Sequence, residues 1–351
     1  MTDTSKPDCA WRLADLADVP QNGLKVMSTF ACGGGSSMGY KRAGCTIIAA
    51  NDIDPEMAWH YKHNLKPPLY YLCPIRDLLT AELPPELFEL DILDGSPPCS
   101  TFSMAGSRED AWGKDKHFRE GQAKQVLSDL FFDFLDVVER LRPRVVIAEN
   151  VKGMILGNAK GYTKLVMSRL KELGYRPQLF LLNAADCGVP QRRERVFFCA
   201  LRDDIKAPAL VLKPQHRWIS AGEATRDLLR SVDEINDTAP SATDLRFWKG
   251  TIPGQSFKHE CERITGKASF FSNVKLHEDQ TSPSLTAQAH TFAHWSECRT
   301  LTFREWKRLG SFPDDYHAQS DKIGKYMIGM SVPPKMTEVV ARAVVDQWLL
   351  R

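Results

Sequence analysis

From Gly23 to Arg202 short apolar runs of strand length alternate with longer segments of helical period, and few folds accommodate that order. "GLKVMSTFACGGGSSMGYKRAG" reads as strand, glycine loop and helix, and "CTIIAAND" as the next strand. "IDPEMAWHYKHN" reads as a helix with Asp54 as N-cap and Pro55 at its first position. "LFELDIL" reads as a buried strand running into a break at "DGSPP", and "VLSDLFFDFLDVVERLRP" as a helix stopped by Pro143. The strand "RVVIAEN", the helix "GYTKLVMSRLKELG" and the strands "RPQLFLLN" and "RVFFCALR" follow. The pattern predicts an α/β fold with a doubly wound, mostly parallel sheet, whose ligands gather beyond the carboxyl ends of the strands. "ACGGG", "ND", "PPCS" and "ENV" all fall at such ends.

Between Ala207 and Glu297 the alternation dissolves into Pro-, Gly-, Ser- and Thr-rich stretches with short aromatic-flanked runs such as "LRFWKGTIPGQSF". This region reads as a smaller, irregular domain, and 351 residues leave room for two domains. A helix in "TFREWKRLG", a stop in "SFPDD" and an amphipathic helix in "KMTEVVARAVVDQWLL" close the chain. No run approaches the roughly 18 apolar residues of a membrane span, and "MTDTSKPDCAWRLADL" lacks the pattern of a secretory signal. The expectation is a cytoplasmic protein with no membrane association. The nine cysteines form no C-x-x-C pair, so reduced thiols and no metal site are expected. A net charge of +2 is too small to announce a polyanionic partner.

In "TFACGGGSSMGY" the glycines follow a strand and open a helix, where backbone N–H groups can approach a ligand. The G-x-G-x-x-G fingerprint is missed by one residue: after Gly33 and Gly35 the third glycine is Gly39. Asp52, ending the second strand, is placed to accept hydrogen bonds from a ribose. Loop and carboxylate indicate an adenosine-type cofactor without choosing between a nicotinamide dinucleotide and S-adenosylmethionine. The plainer reading is a tight turn and a solvated Asp.

Cys99, pinned behind Pro97 and Pro98 at a strand end, is either a small buried hydrophobe or a nucleophile. A free thiol is only about 3% thiolate at neutral pH, so a nucleophile needs nearby help. Glu149 and Asn150 end another strand, and "PQRRERVFF" sets Arg193 and Arg195 two apart, on one face if extended. Taken singly, the Glu could be a cap and the arginines a charged strand edge.

In this order, "FACGGGSSMG", "NDIDPEMAWHYKHN", "GSPPCSTFS", "AENVKGM", "AADCGVPQRRERVFF", "RTLTFREWKRLGSFPDDY" and "YMIGMSVPP" resemble the DNA cytosine-5 methyltransferases of bacterial restriction-modification systems and phages. The resemblance implies the Rossmann-like fold of S-adenosylmethionine-dependent methyltransferases. It implies that Cys99 adds to carbon 6 of a cytosine flipped out of duplex DNA, turning carbon 5 into a nucleophile that takes the methyl group. Glu149 would contact N3 and the exocyclic amine, while Arg193 and Arg195 hold the base and nearby phosphate. Phe30, Gly34, Gly35, Asp52, Ile53, Ile75, Pro98, Ser331 and Val332 would line the S-adenosylmethionine site, and Ser103, Asn150 and Gln191 would serve the substrate. The polar segment after Ser103 would close over DNA.

The same resemblance divides the chain into a catalytic, cofactor-binding domain (1–206 and 325–351), a target-recognition domain (207–298) and a hinge (299–324). It also implies a monomer, with a cognate restriction endonuclease as a candidate companion. Charge in the target region is uninformative: Lys213 to Glu297 holds 10 basic and 11 acidic residues. Cys32, Pro74, Ser100 and Met330 depart from the family's usual Gly, Asp, Gln and Asn, which puts the loop backbone and the adenine contact in question. Two rival readings are a transfer-RNA substrate and a DNA-binding regulator that keeps the fold without turnover.

Overall fold

The structure, a computed structural model, describes residues 6–98, 115–116, 125–126, 130–157, 159–267, 273–288 and 291–350. The chain divides into two compact units. The larger comprises Leu16–Asn183, Glu194–Pro214 and Met336–Arg351, and the smaller Met1–Asp15, Ala184–Arg193 and Gln215–Lys335.

The larger unit is built on a sheet of seven strands: β1 (Lys25–Thr29), β2 (Thr46–Asp52), β3 (Leu69–Leu72), β4 (Ile92–Gly95), β5 (Val145–Val151), β6 (Tyr175–Asn183) and β7 (Glu194–Arg202). Their order in space is β3-β2-β1-β4-β5-β7-β6. The five strands β3, β2, β1, β4 and β5 pair in parallel, and β7 runs antiparallel to both β5 and β6. Helices α1 (Gly35–Arg42), α2 (Pro55–Leu65), α3 (Leu130–Leu141) and α4 (Ala159–Glu172) supply the crossovers, and α11 (Pro334–Val344) brings the chain back to this unit. The predicted mostly parallel sheet is therefore present.

Local chemistry explains the boundaries. Asp54 caps α2 by accepting from the Glu56 and Met57 amides at 2.9 and 3.3 Å, with Pro55 next. In α3, Leu130, Phe131, Phe134, Leu135, Val138 and Leu141 are buried, a helical period that builds the core against Val146 and Phe198. One reading is corrected. "LFEL" is not part of a strand: Pro85–Glu89 form a 3₁₀ turn and β4 begins at Ile92. Leu87 and Leu90 are buried as expected, but Pro84 and Pro85 set a turn in which apolar content alone could not be told from a strand. The short edge strand β3, "LYYL", escaped the sequence reading because three half-buried residues and an exposed Leu72 give little periodicity.

In the smaller unit the irregular region resolves into α5 (Ala221–Thr225), α6 (Val232–Asp237), α7 (Ala242–Phe247), α8 (Phe257–Thr265) and a two-residue parallel pair, β8 (Val274–Lys275) with β9 (Phe292–Ala293). α9 (Phe303–Leu309) and α10 (Asp321–Met330) follow. α9 opens with a capping box between Thr302 and Glu305, and Glu305 also takes both Nη atoms of buried Arg299 at 2.8 Å. Arg299, paired with Glu305, and Arg308, paired with Asp227 and Asp314, thus supplement a modest apolar cluster around Phe247 and Phe257.

Candidate active site

The parallel register sets the site's geometry. Thr29 on β1 lies opposite Asn51 on β2 and Gly95 on β4, and Gly95 lies opposite Ala148 on β5, so these four residues form one level row. One residue further along each strand stand Phe30, Asp52, Ser96 and Glu149. The glycine loop, the acidic residue, the proline turn and the Glu-Asn pair therefore leave the sheet at a common edge.

On the cofactor side, the turn after β1 is tight. Phe30, Cys32 and Gly34 have φ of 51°, 46° and 84°, which folds the backbone so that the Cys32 amide donates to Asp52 Oδ2 at 2.7 Å. A Cβ on Gly34 would meet Leu65 Cδ1 at 2.3 Å and the Tyr61 ring at 3.2 Å, so the turn rests directly on α2. Cys32 keeps the backbone of this turn compact without a glycine, with Sγ 3.7 Å from Met57 Sδ. Gly35 opens α1 and is buried. Phe30 and Ile53 are partly buried, and Ile75 is buried in the core at 2% exposure, opening a 3₁₀ turn after Pro74. A carboxylate at the strand end, an apolar neighbour and a compact loop suit an adenosyl group. Among the described residues no group of three or more His, Cys, Asp or Glu could hold a metal.

The ribose contact expected of Asp52 carries a pH dependence. Burial pushes its carboxyl up to about 6, against the opposing amides of Asp54 and Cys32. A ribose hydroxyl donates best to the ionised form. Cofactor affinity is therefore expected to fall about tenfold per pH unit below that value, measured by titration calorimetry with S-adenosylhomocysteine between pH 5 and 8. Asp52→Asn should flatten the profile; equal affinity at pH 5 and 7.5 in the unaltered protein would contradict this assignment. The sign for stability is opposite: a folded value above the ordinary 3.8 means the folded state binds more protons, so this group's contribution declines as pH rises from about 4 to 6.

On the catalytic side, Glu149 is 8% exposed and lies opposite Phe197, while Val151 lies opposite Arg195. The diagonal neighbour of Glu149 on the same face is thus Arg195, and its Nε meets Glu149 Oε1 at 2.9 Å. Burial lowers Arg195 from its ordinary value and Glu149 opposes that; a guanidinium remains charged. Asn150, 4% exposed, donates from Nδ2 to the Pro97 carbonyl at 3.0 Å, while its Oδ1 accepts the Val151 amide at 2.9 Å. The strand that follows β4's turn in the sheet therefore holds that turn two residues before Cys99. Pro98 is partly buried. Cys99, Ser100, Ser103 and most of the segment after it lie outside the described residues; within that stretch Asp115–Lys116 pair antiparallel with Gln125–Val126.

The remaining expected residues belong to the smaller unit. β7 starts at Glu194, so Arg193 precedes the strand instead of sharing its face with Arg195. Arg193 is 4% exposed and donates to the carbonyls of Leu285 at 2.8 Å and Gly329 at 3.0 Å. Gln191, 1% exposed, accepts the Leu285 amide at 3.0 Å and donates to the Leu309 carbonyl at 3.3 Å. Ser331 and Val332 follow α10 and are buried at 4% and 5%. Gly329 sits tightly in α10: an added Cβ would be 2.1 Å from the Thr286 carbonyl oxygen. Gly329→Ala is expected to cost about 2–3 kcal/mol by overpacking against backbone, visible as a lowered thermal midpoint. An unchanged midpoint would mean that α10 shifts freely.

The sequence reading missed Asp94, a carboxylate in β4 that is only 3% exposed. The signal was present in "LDILDG": a second acid inside a run whose neighbours all point into the core.

Comparison with known proteins places this geometry. A model of the C-5 cytosine-specific DNA methylase family matches residues 24–346. The chain is 26% identical to the Type II methyltransferase M1.HphI of Haemophilus parahaemolyticus, over 92% of this chain and 86% of that one. It is 28% identical to M.FnuDI of Fusobacterium nucleatum, over 92% and 94%. Among solved structures, a prophage-encoded Escherichia coli protein described as a DNA modification methyltransferase superposes with a TM-score of 0.71 at 19% identity, covering 93% of this chain and 99% of that one. A Spodoptera frugiperda DNMT2 variant gives 0.65 at 19% identity, covering 92% and 99%. With a family match over nearly its whole length, the chain belongs to the C-5 cytosine-specific DNA methylases, which transfer a methyl group from S-adenosylmethionine to carbon 5 of cytosine in DNA.

Proposed function

We propose that the chain is a sequence-specific modification methyltransferase of duplex DNA, working through a covalent adduct between Cys99 and carbon 6 of a flipped cytosine. The observation that carries this reading is the level row of strand ends, which sets Asp52 and Glu149 at one sheet edge with Arg195 paired to Glu149. Glu149 and Arg195 bind the ring as electron density builds on it. Phe30, Gly34, Gly35, Asp52, Ile53, Ile75, Pro98, Ser331 and Val332 hold S-adenosylmethionine, which supplies an electrophilic methyl group. Asn150, Gln191 and Arg193 serve the substrate through the backbone that they fasten, and Ser103 through the segment after the nucleophile. Residues 207–298 read the target sequence, 299–324 act as a hinge, and 1–206 with 325–351 carry catalysis. The enzyme acts as a cytoplasmic monomer, with a restriction endonuclease as its companion.

The test is expression in a host without cytosine methylation, followed by bisulfite or nanopore sequencing. One short motif methylated at a fixed cytosine is expected. Folded protein with no methylated cytosine in any context overturns the reading.

A further inference from the structure

Asp94 is a buried acid that the reaction described so far leaves unused. It lies on β4 opposite Ser28 of β1 and Ile147 of β5. Directly opposed residues point to the same side of a sheet, and so do residues two apart along a strand. Asp94 therefore shares a face with Glu149, one pleat behind it. Its Oδ2 accepts from Ser28 Oγ at 2.8 Å and its Oδ1 from the Tyr40 hydroxyl on α1 at 2.9 Å, both donors being fully buried. Thr29 Oγ1 donates to the Asp94 carbonyl at 2.9 Å, and at the next residue a Cβ on Gly95 would meet the Phe134 ring at 2.5 Å. The carboxylate is thus fixed by two hydroxyl donors, and its backbone by Thr29, at the point where β4 gives way to the turn that leads to Cys99.

The groups facing it are short of positive charge. Tyr40 faces it from α1, Tyr61 from α2, Glu149 from β5, and Cys199 lies in the same row on β7. Among the described residues no cation pairs with it. A buried acid with two hydroxyl donors and no counter-ion costs stability relative to an apolar residue of the same shape, a cost that a functional role accounts for.

We propose that Asp94 is a positioning residue for methyl transfer, acting through Glu149: its negative charge, held one pleat behind Glu149, favours a proton in the hydrogen bond between Glu149 and cytosine N3. Thiolate addition at carbon 6 pushes electron density toward N3, so a proton held there stabilises the adduct. The bond between sulfur and carbon 6 forms as the ring's double bond shifts its electrons, and the proton at N3 neutralises them. The charge acts at this step when Asp94 is ionised. Burial, with Glu149 adding to it, pushes the Asp94 carboxyl up to about 7, against Ser28 and Tyr40. The effect of Asp94 is therefore switched on across the neutral range.

The proposal rests on the methyl-transfer reading, and single-turnover rates separate the two. The unaltered enzyme, saturated with S-adenosylmethionine and target DNA, is expected to gain rate through an inflection near pH 7. Asp94→Asn should run about tenfold slower at pH 8, match the unaltered enzyme at pH 6 and lack that inflection. Tyr40→Phe removes a donor to the ionised form, so it should move the inflection to higher pH while leaving the plateau within about twofold. A purely structural role would slow both variants equally at all pH values and leave the inflection in place. Superimposable profiles for the unaltered enzyme and Asp94→Asn overturn the proposal. If Asp94→Asn does not fold, an inflection unmoved in Tyr40→Phe overturns it as well. An unaltered enzyme with no methyl transfer at any pH sinks the parent reading instead.

Discussion

Cys99→Ala is expected to abolish methyl transfer, lowering the single-turnover rate by at least about 10⁴-fold, as loss of a covalent nucleophile does elsewhere. Carbon 5 of cytosine is too poor a nucleophile to take a methyl group unaided, so losing the thiolate removes the step that activates it. The geometry leading up to Cys99 supports the assignment. Asn150 fixes the Pro97 carbonyl, and β4 ends against a packed Phe134, so the chain is delivered to Cys99 along a constrained path. On DNA containing 5-fluorocytosine, which traps the adduct after methyl transfer, the unaltered enzyme should form a covalent complex and Cys99→Ala should form none. Cys187→Ala is the matched control. That thiol is 2% exposed and burial pushes it up to about 12, which makes it inert. A trapped complex that survives Cys99→Ala would move the nucleophile elsewhere.

The second large effect concerns the ion pair. Arg195→Ala is expected to slow methyl transfer by about 10²–10³-fold, the range for removing one aimed donor from a reacting site. It should also cost about 3 kcal/mol of stability, because Glu149 keeps its buried position without a counter-ion. The two losses have separable causes. In the double variant Glu149→Gln with Arg195→Ala the uncompensated charge is gone, so the thermal midpoint should recover while the rate stays low. A single variant with normal rate and lowered midpoint would confine the pair to a structural role.

The sheet was largely legible in the sequence because buried parallel strands read as continuous apolar runs and their helices as a 3.6-residue period. "CTIIAAND" and "VLSDLFFDFLDVVERLRP" fell close to the observed β2 and α3. Prolines misled where they both end and start elements: "PELFE" is a 3₁₀ turn although its Leu87 is core. The strand-end positions of Asp52, Glu149 and Asn150 were legible, as was the start of the strand that carries Arg195. Their partners were not. That Arg195 meets Glu149 follows from a strand register, and that Arg193 turns to the Leu285 and Gly329 carbonyls follows from contacts about 90 and 136 residues away in sequence, neither of which leaves a local pattern. Asp94 went unremarked in the sequence, since its partners depend on which strand and helix lie beside it.

The hairpin between β6 and β7 lends its connection, Ala184–Arg193, to the smaller unit. Gln191 and Arg193 there are fastened to Leu285, Leu309 and Gly329. For protein engineering, this makes 207–298 a poor cassette. A graft cut at those ends would exchange Leu285 while leaving the two side chains that grip its backbone adapted to the old segment. The unit that carries these fastenings is Ala184–Arg193 together with Gln215–Lys335 and the N-terminal stretch to Asp15, whose Trp11 donates to the Ser311 carbonyl, so a graft should move all three.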